Sequence, residues 1–242
     1  MECAGTVVQA EEGAPFRPGD RVIAGGLTGC VAQYGCFPAT AVHAIPAGLA
    51  FPQAAALRIA YLTAWVALAR LGQAQAGETL VVLGASGGVG LAAVDLGRAL
   101  GLRVIAVASS EAKRDVIRQL YAPDAVLGPD NLRDAVMELT GGRGADLVFD
   151  PVGGDLFDAA CRFTAFGGRL LVVGFASGRI PTVNANIPLI KGFSVIGVRA
   201  GEYGRRFPDR GEEHHRAILQ MAGEGRIRPH VHAAYPLADW RR

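Results

Sequence analysis

Cysteine is scarce in this sequence: four in 242 residues, at positions 3, 30, 36 and 161, with no C-x-x-C pair among them. That spacing excludes a disulfide framework and a cysteine-built zinc lobe, and leaves reduced thiols in a cytoplasmic protein as the expectation. Long apolar runs are lacking too. None approaches the ~20 residues that span a bilayer, and Met1-Glu2-Cys3 does not open a signal peptide, so no membrane partner is expected. Net charge is nearly absent, +2 from 24 basic and 22 acidic residues without a basic block, which makes nucleic acid a poor partner. Also missing are a Ser-His-Asp order and a paired-carboxylate pattern, the marks of hydrolytic chemistry.

Glycine, by contrast, is plentiful. Its 33 residues fall at turns and follow no fixed period, so collagen-like and low-complexity chains are excluded. Half of the residues are hydrophobic, enough for one large or two modest domains. Residues 1–52 read as β-rich, with Thr6-Val7-Val8, Arg21-Val22-Ile23-Ala24 and Ala41-Val42-His43-Ala44-Ile45 as short strands between turn signals. Residues 53–71 then take helical spacing and stop at Gly72. From residue 80 onward strands alternate with helices. Strands are expected at 80–83, 102–108, 125–127, 146–150, 169–173 and 193–198; the helices between them fall at 113–120, 132–140, 156–166 and 187–191. A further helix is expected at 212–223 and a return to strand at 226–236. Apolar strands alternating with crossover helices predict an α/β protein with a doubly wound parallel sheet of the Rossmann type. The domain boundaries that follow are 1–56, 57–225 and 226–242.

Residues 80–90, Leu-Val-Val-Leu-Gly-Ala-Ser-Gly-Gly-Val-Gly, join the first of these strands to its helix. Ala85-x-Gly87-x-x-Gly90 is the dinucleotide fingerprint with alanine in its first place and Gly84 just before it. Gly84, Ser86, Gly87, Gly88, Val89 and Gly90 are therefore the expected pyrophosphate cradle. Gly87 permits close approach of the backbone, Gly90 permits close packing of helix on sheet, and the helix N-terminus supplies N–H donors. An NAD-binding turn places a carboxylate at the end of the second strand to accept from the ribose 2′-hydroxyl. Here that end reads Ala108-Ser109-Ser110, followed by Glu111-Ala112-Lys113-Arg114. Ser109, Ser110, Lys113 and Arg114 suit a 2′-phosphate, so the expected cofactor is NADPH; the alternative is that Ser109 only caps the next helix while both cations face water. Gly174 and Phe175 follow the fifth strand, at the carboxyl edge where ligands bind in this architecture; Phe175 either walls the nicotinamide or packs between domains.

Glu2-x-Ala4-Gly5-x-Val7, Phe16-x-Pro18-Gly19-Asp20-Arg21-Val22, Leu62-Thr63-Ala64, the turn at 85–90, Asp150-x-Val152-Gly153-Gly154 and Gly168-Arg169-x-Leu171-Val172-Val173-Gly174 stand in an order that resembles the zinc-independent quinone oxidoreductases. These form the zeta-crystallin-like branch of the medium-chain dehydrogenase/reductases. The resemblance implies a GroES-like barrel domain beside a Rossmann domain, with NADPH bound in the cleft between them. It also implies a homodimer formed through the sheet edge, matched here by residues 193–198. Family members carry further barrel residues before the position of Glu2 and after that of Trp240, so the GroES-like part is expected to be incomplete. Metal-dependent relatives place a His before the acid and a Cys four residues before the threonine; Met1 and Ile59 occupy those places and no metal is expected. His230 and His232 would share one face of a strand, and His214-His215 reads as solvated.

By family position Thr63 lies near the nicotinamide or its ribose; a helix hydroxyl bonded back to a carbonyl is the other reading. Tyr61 is a candidate proton donor or pocket residue, with a core position as the alternative. Asp150 is expected to fix its own loop. The activity implied is hydride transfer to a quinone or small enone. Alternatives are an enoyl-thioester reductase, for which no basic cluster to receive a pantetheine phosphate is evident, and a dinucleotide-binding protein of little turnover with a structural or RNA-binding role.

Overall fold

A computed structural model describes residues 1–239, and the chain divides into two compact units, Met1–Leu62 with Glu212–Arg242, and Thr63–Gly211. Residues 57–62 and 212–225, expected with the nucleotide-binding domain, thus fall in the first unit. The last three residues of the expected 226–242 segment lie outside the described ones.

In the first unit, β1 (Glu2–Thr6), β2 (Arg21–Gly25) and β3 (Val42–Ala44) form an antiparallel sheet. The ladder pairs Glu2 with Gly25 and ends at Thr6 opposite Arg21, so the first strand lies earlier than the expected residues 6–8. The Arg21 guanidinium donates to the Leu49 carbonyl at 2.6 Å and lies over the Phe51 ring, which holds β2 to the chain leading into α1 (Phe51–Ala55). The expected strand at 226–236 is not formed; Pro229 interrupts it and Pro236 ends it, and each lacks an N–H for a ladder.

His214 and His215 are also not solvated. The helix that carries them, α9, spans Pro208–Gly223, so the pair sits nearly two turns inside it; His214 is buried, and His215 lies with its ring centroid 5.0 Å from that of His43. Burial, with Arg58 nearby, pushes the His215 imidazole down to about 4. A base whose folded value lies below its ordinary one of about 6.5 contributes stability above that pH and loses it as the pH falls towards the folded value. His215→Gln is therefore expected to flatten the fall of Tm between about pH 6.5 and 4. An unchanged slope in thermal melts across that range counts against burial of the neutral ring.

The second unit is a six-stranded parallel sheet in the order β6-β5-β4-β7-β8-β9. Its strands are β4 (Thr79–Val82), β5 (Arg103–Val107), β6 (Ala125–Leu127), β7 (Ala145–Asp150), β8 (Thr164–Val172) and β9 (Ser194–Gly197). Helices α3 (Gly88–Ala99), α4 (Glu111–Tyr121), α5 (Leu132–Leu139) and α6 (Gly154–Phe163) make the crossovers, and α7 (Asn186–Lys191) precedes β9. The order reverses between β4 and β7, and that switch point is where open α/β sheets bind ligands. Val81, Leu83, Ile105, Val107, Val148, Phe157, Phe163 and Leu170 belong to the core beneath.

Two departures from the expected elements have local causes. The helix expected to continue to residue 166 ends at Phe163, and Thr164 already pairs with Ala145. Gly144 lies so close to this corner that a Cβ on it would meet the Phe163 carbonyl, with the Ala165 nitrogen at 3.2 Å, so the chain must turn into the sheet there. The helix expected over 53–71 is broken into α1, α2 (Arg58–Trp65) and a widened π-helical stretch, Val66–Leu71. Its last turn is closed by Gly72 N–H donating to the Ala67 carbonyl at 2.8 Å. A short helix that the sequence pattern did not suggest, α8 (Ala200–Arg206), follows β9.

Candidate dinucleotide site

The fingerprint turn is stitched to both neighbouring strands. Leu83 N–H donates to the Phe149 carbonyl at 3.0 Å, and Ala85 N–H to the Val107 carbonyl at 2.9 Å. Between them Gly84 takes φ +58°, and a Cβ there would stand 2.7 Å from Val152 Cγ2. Gly84 thus supplies the free backbone, and alanine in the first place of the motif is no obstacle: Ala85 is buried with ordinary φ.

Helix α3 begins at Gly88 with Gly87 extended before it, and no side chain caps its first N–H groups. A Cβ at Gly88 would meet nothing within 4 Å, and one at Gly87 only the Gly84 carbonyl at 3.5 Å. Uncapped donors behind an open backbone surface are what a pyrophosphate requires. Gly90 is the reverse case. A Cβ on it would run into the Gly84 carbonyl and stand 2.8 Å from Ala85 Cα. Gly90 therefore presses the helix onto the turn, while close contact with the sheet falls to Gly97, whose Cβ would lie 2.7 Å from Leu80 and 3.2 Å from Val104 side chains. Sequence reasoning missed Gly97; its spacing of seven from Gly90, two turns along one helix face, was the available signal. Ser86 and Val89 are half-buried within the turn.

At the end of β5, Ala108 is buried and no carboxylate takes its place. Ser110, and not Ser109, caps α4, accepting from Lys113 N–H at 3.4 Å. Lys113 Nζ reaches Ser109 Oγ at 3.5 Å, so these two are brought together at an exposed corner. Arg114 is committed elsewhere. Its Nε and Nη2 donate to Glu111 at 2.8 and 2.5 Å and its Nη1 to the Ala108 carbonyl at 3.0 Å. Arg118 and Arg114 hold the Glu111 carboxyl below its ordinary range. A Cβ on Gly128 would come within 3.2 Å of Arg114 Nη1, so glycine at 128 gives that guanidinium room.

Beyond β7 the chain turns back on itself through Asp150, as expected. Its Oδ1 accepts from Val152 and Gly153 N–H, both at 2.8 Å; burial pushes the carboxyl up, against those two donors. The loop after β8 runs alongside: Gly174 N–H donates to the Asp150 carbonyl and Ser177 N–H to that of Val152. Phe175, 42 % exposed, covers Gly153, where a Cβ would lie 3.0 Å from its ring. Gly84 to Gly90, Ala108 to Ser110, Val152 and Phe175 thus share the carboxyl edge of one sheet.

Tyr61, expected as a proton donor or pocket residue, and Thr63, expected near the nicotinamide or its ribose, fare differently. Tyr61 is 2 % exposed, which favours the core position of its two readings. Thr63 is half-buried on α2 and opens the second unit. In the first unit, Glu2 Oε2 accepts from Ile59 N–H at 2.7 Å, so the acid is tied to backbone at the position where metal-dependent relatives carry a cysteine. His230 and His232 stand with ring centroids 6.5 Å apart but not on a strand. Among the described residues no group of three or more His, Cys, Asp or Glu is placed to hold a metal ion, and no helix is long and apolar enough to cross a membrane.

Strand order, switch point and glycine turn define a dinucleotide-binding α/β protein. Residues 88–214 match the family model described as zinc-binding dehydrogenase. Quinone oxidoreductase-like protein 2 of Bos taurus is 37 % identical over 250 residues, covering 99 % of this chain and 69 % of its own. A probable oxidoreductase from Mycobacterium abscessus superposes with a TM-score of 0.89 at 38 % identity, covering 98 % of this chain and 72 % of its own. A mycobacterial protein solved in complex with NADPH has a TM-score of 0.85 at 28 % identity, covering 98 % of this chain and 75 % of its own. The chain belongs to the medium-chain dehydrogenase/reductases, in their zinc-independent, quinone oxidoreductase-like branch. It spans about two thirds of the length of the curated relatives it matches.

Proposed function

We propose that the protein is an NADPH-dependent oxidoreductase that reduces a quinone or a small enone without a metal. The observation that carries the reading is the uncapped N-terminus of α3 behind the open Gly87-Gly88 surface, at the switch point of the sheet. When bound, the cofactor supplies a hydride. The chain's part is to hold and orient: the 84–90 turn takes the pyrophosphate, Ser109 and Lys113 take a 2′-phosphate, and Phe175 excludes water beside the ring. Asp150 is spent on its own loop and Tyr61 is buried, so neither is assigned proton transfer. A conjugated acceptor suits such a site, because its oxygen takes up charge and is protonated from solvent. The NADPH complex of a relative supports the cofactor.

The test follows NADPH absorbance with a quinone, with an enone and with crotonyl-coenzyme A. Turnover of the first two is expected. Bound NADPH with no consumption of any acceptor would leave a dinucleotide-binding protein and overturn the reading.

The open side of β9 supports a homodimer as its partner state. Val195 is partly exposed on this edge strand, and Phe166, Leu189 and Ile190 are exposed apolar residues of the same unit. Pairing two such edges would satisfy both rows of backbone groups. Sedimentation is expected to show a dimer that Val195→Lys shifts to monomer; a wild-type monomer at micromolar concentration refutes it.

A further inference from the structure

Apart from the carboxyl edge, α8 and the start of α9 gather a second cluster of charge. Arg205 and Arg206 are both answered by Glu202, at 2.9 Å. Arg70 and Arg210 are not: neither has an ion pair among the described residues. Instead the two guanidiniums converge on one phenol, Arg70 Nε donating to Tyr203 Oη at 2.5 Å and Arg210 Nη1 at 3.1 Å. Aromatic rings hold both in place. Arg210 lies 5.5 Å over Phe207, Arg70 5.8 Å from the centre of Tyr203, and the two rings are themselves 5.1 Å apart.

Glycine builds this convergence. Gly204 and Gly211 directly follow Tyr203 and Arg210, and a Cβ on Gly211 would stand 3.1 Å from Gly204 Cα. With Gly211 N–H donating to the Phe207 carbonyl at 2.9 Å, α8 folds back on the first turn of α9 and the two side chains meet.

Two cations sharing one neutral oxygen repel each other, and each keeps further N–H groups beyond the one that touches the phenol. An acceptor-only anion between the forks would answer both. The planar, bidentate geometry of guanidinium matches a phosphate group. We propose that Arg70, Arg210 and Tyr203 form a binding site for a phosphate group, separate from the dinucleotide turn. Arg70 stands two residues before Gly72, whose carbonyl accepts from Arg169 and whose Cβ would lie 2.9 Å from Leu147; Leu147 pairs with Leu80 near the amino end of the sheet. The site does not rest on the reductase reading. It also supplies the basic cluster that the sequence did not reveal, because Arg70 is distant from the others along the chain. Its phosphate comes either from free inorganic phosphate or from the phosphorylated handle of a thioester substrate.

Thermal unfolding tests it. Potassium phosphate is titrated against potassium chloride at equal ionic strength, with saturating NADP+ present to occupy the fingerprint turn. A saturable rise in Tm of about 2–4 °C is expected for the wild type. The rise should vanish in Arg70→Gln and in the exposed variant Arg210→Gln, and persist in Arg206→Gln. No rise in the wild type, or an equal rise in all three variants, overturns the site. Coenzyme A and dephospho-coenzyme A identify the source. Saturation by coenzyme A at least tenfold below phosphate, lost on removal of its 3′-phosphate, assigns the handle; equal concentrations assign free phosphate. Repeating the phosphate titration on Gly90→Ala without cofactor keeps this result independent of the dinucleotide site.

Discussion

Gly90→Ala is expected to weaken NADPH binding by at least 100-fold and to lower stability by about 1–3 kcal/mol, since overpacking a close contact forces the backbone to shift. The added carbon would meet the Gly84 carbonyl and Ala85 Cα, both backbone, and neither can swing aside. To admit it the turn must open, and opening it misplaces the N–H donors of α3. Gly88→Ala is the matched control. Its Cβ meets nothing within 4 Å in the protein, so Tm should stay at the wild-type value. Only a ligand lying on that surface can feel it. A normal Tm with weakened NADPH binding in Gly88→Ala would locate the pyrophosphate there; wild-type affinity in Gly90→Ala would refute the cradle. Nucleotide fluorescence titration beside thermal melts measures both.

Lys113→Ala is expected to reduce affinity for NADPH by about 10–100-fold while leaving NADH unchanged, because a hydrogen bond to a charged group contributes about 1.5–3 kcal/mol. Lys113 Nζ stands beside Ser109 Oγ, and Ala108 leaves no carboxylate to receive a 2′-hydroxyl or to repel a 2′-phosphate. Arg114→Ala should behave differently. Its guanidinium ties Glu111 to the Ala108 carbonyl under Gly128, so its loss should lower Tm and weaken both cofactors together. Ser109→Asp should move preference towards NADH by restoring the acid. A Lys113→Ala protein that keeps its discrimination would contradict the assignment of the phosphate to this corner.

The fingerprint was legible because everything it needs is local: an apolar strand, a glycine with positive φ, and a helix start without a cap, all within residues 79–91. The same is true of the missing acid at Ala108. The commitment of Arg114 was not legible, since Lys113 and Arg114 look equally available to Glu111 in the sequence. What separates Arg114 from Lys113 is the carbonyl of Ala108 behind it and the space left by Gly128 on the next strand's loop. Likewise the end of α6 at Phe163 depends on Gly144, a residue some twenty positions earlier, and periodicity within 156–166 carries no trace of it.

By itself the sequence determined a parallel α/β sheet, a glycine turn with the dinucleotide fingerprint and the absence of an acid at Ala108, because alternation of strand and helix and the placing of glycine are properties of neighbouring residues. Tertiary structure alone decided that Tyr61 is core, that His214 and His215 turn inward, that Gly97 shares the work given to Gly90, and that Arg70 and Arg210 meet on Tyr203. Burial and like-charge convergence arise between residues far apart in the chain, and the contacts that create them exist only once the chain is folded.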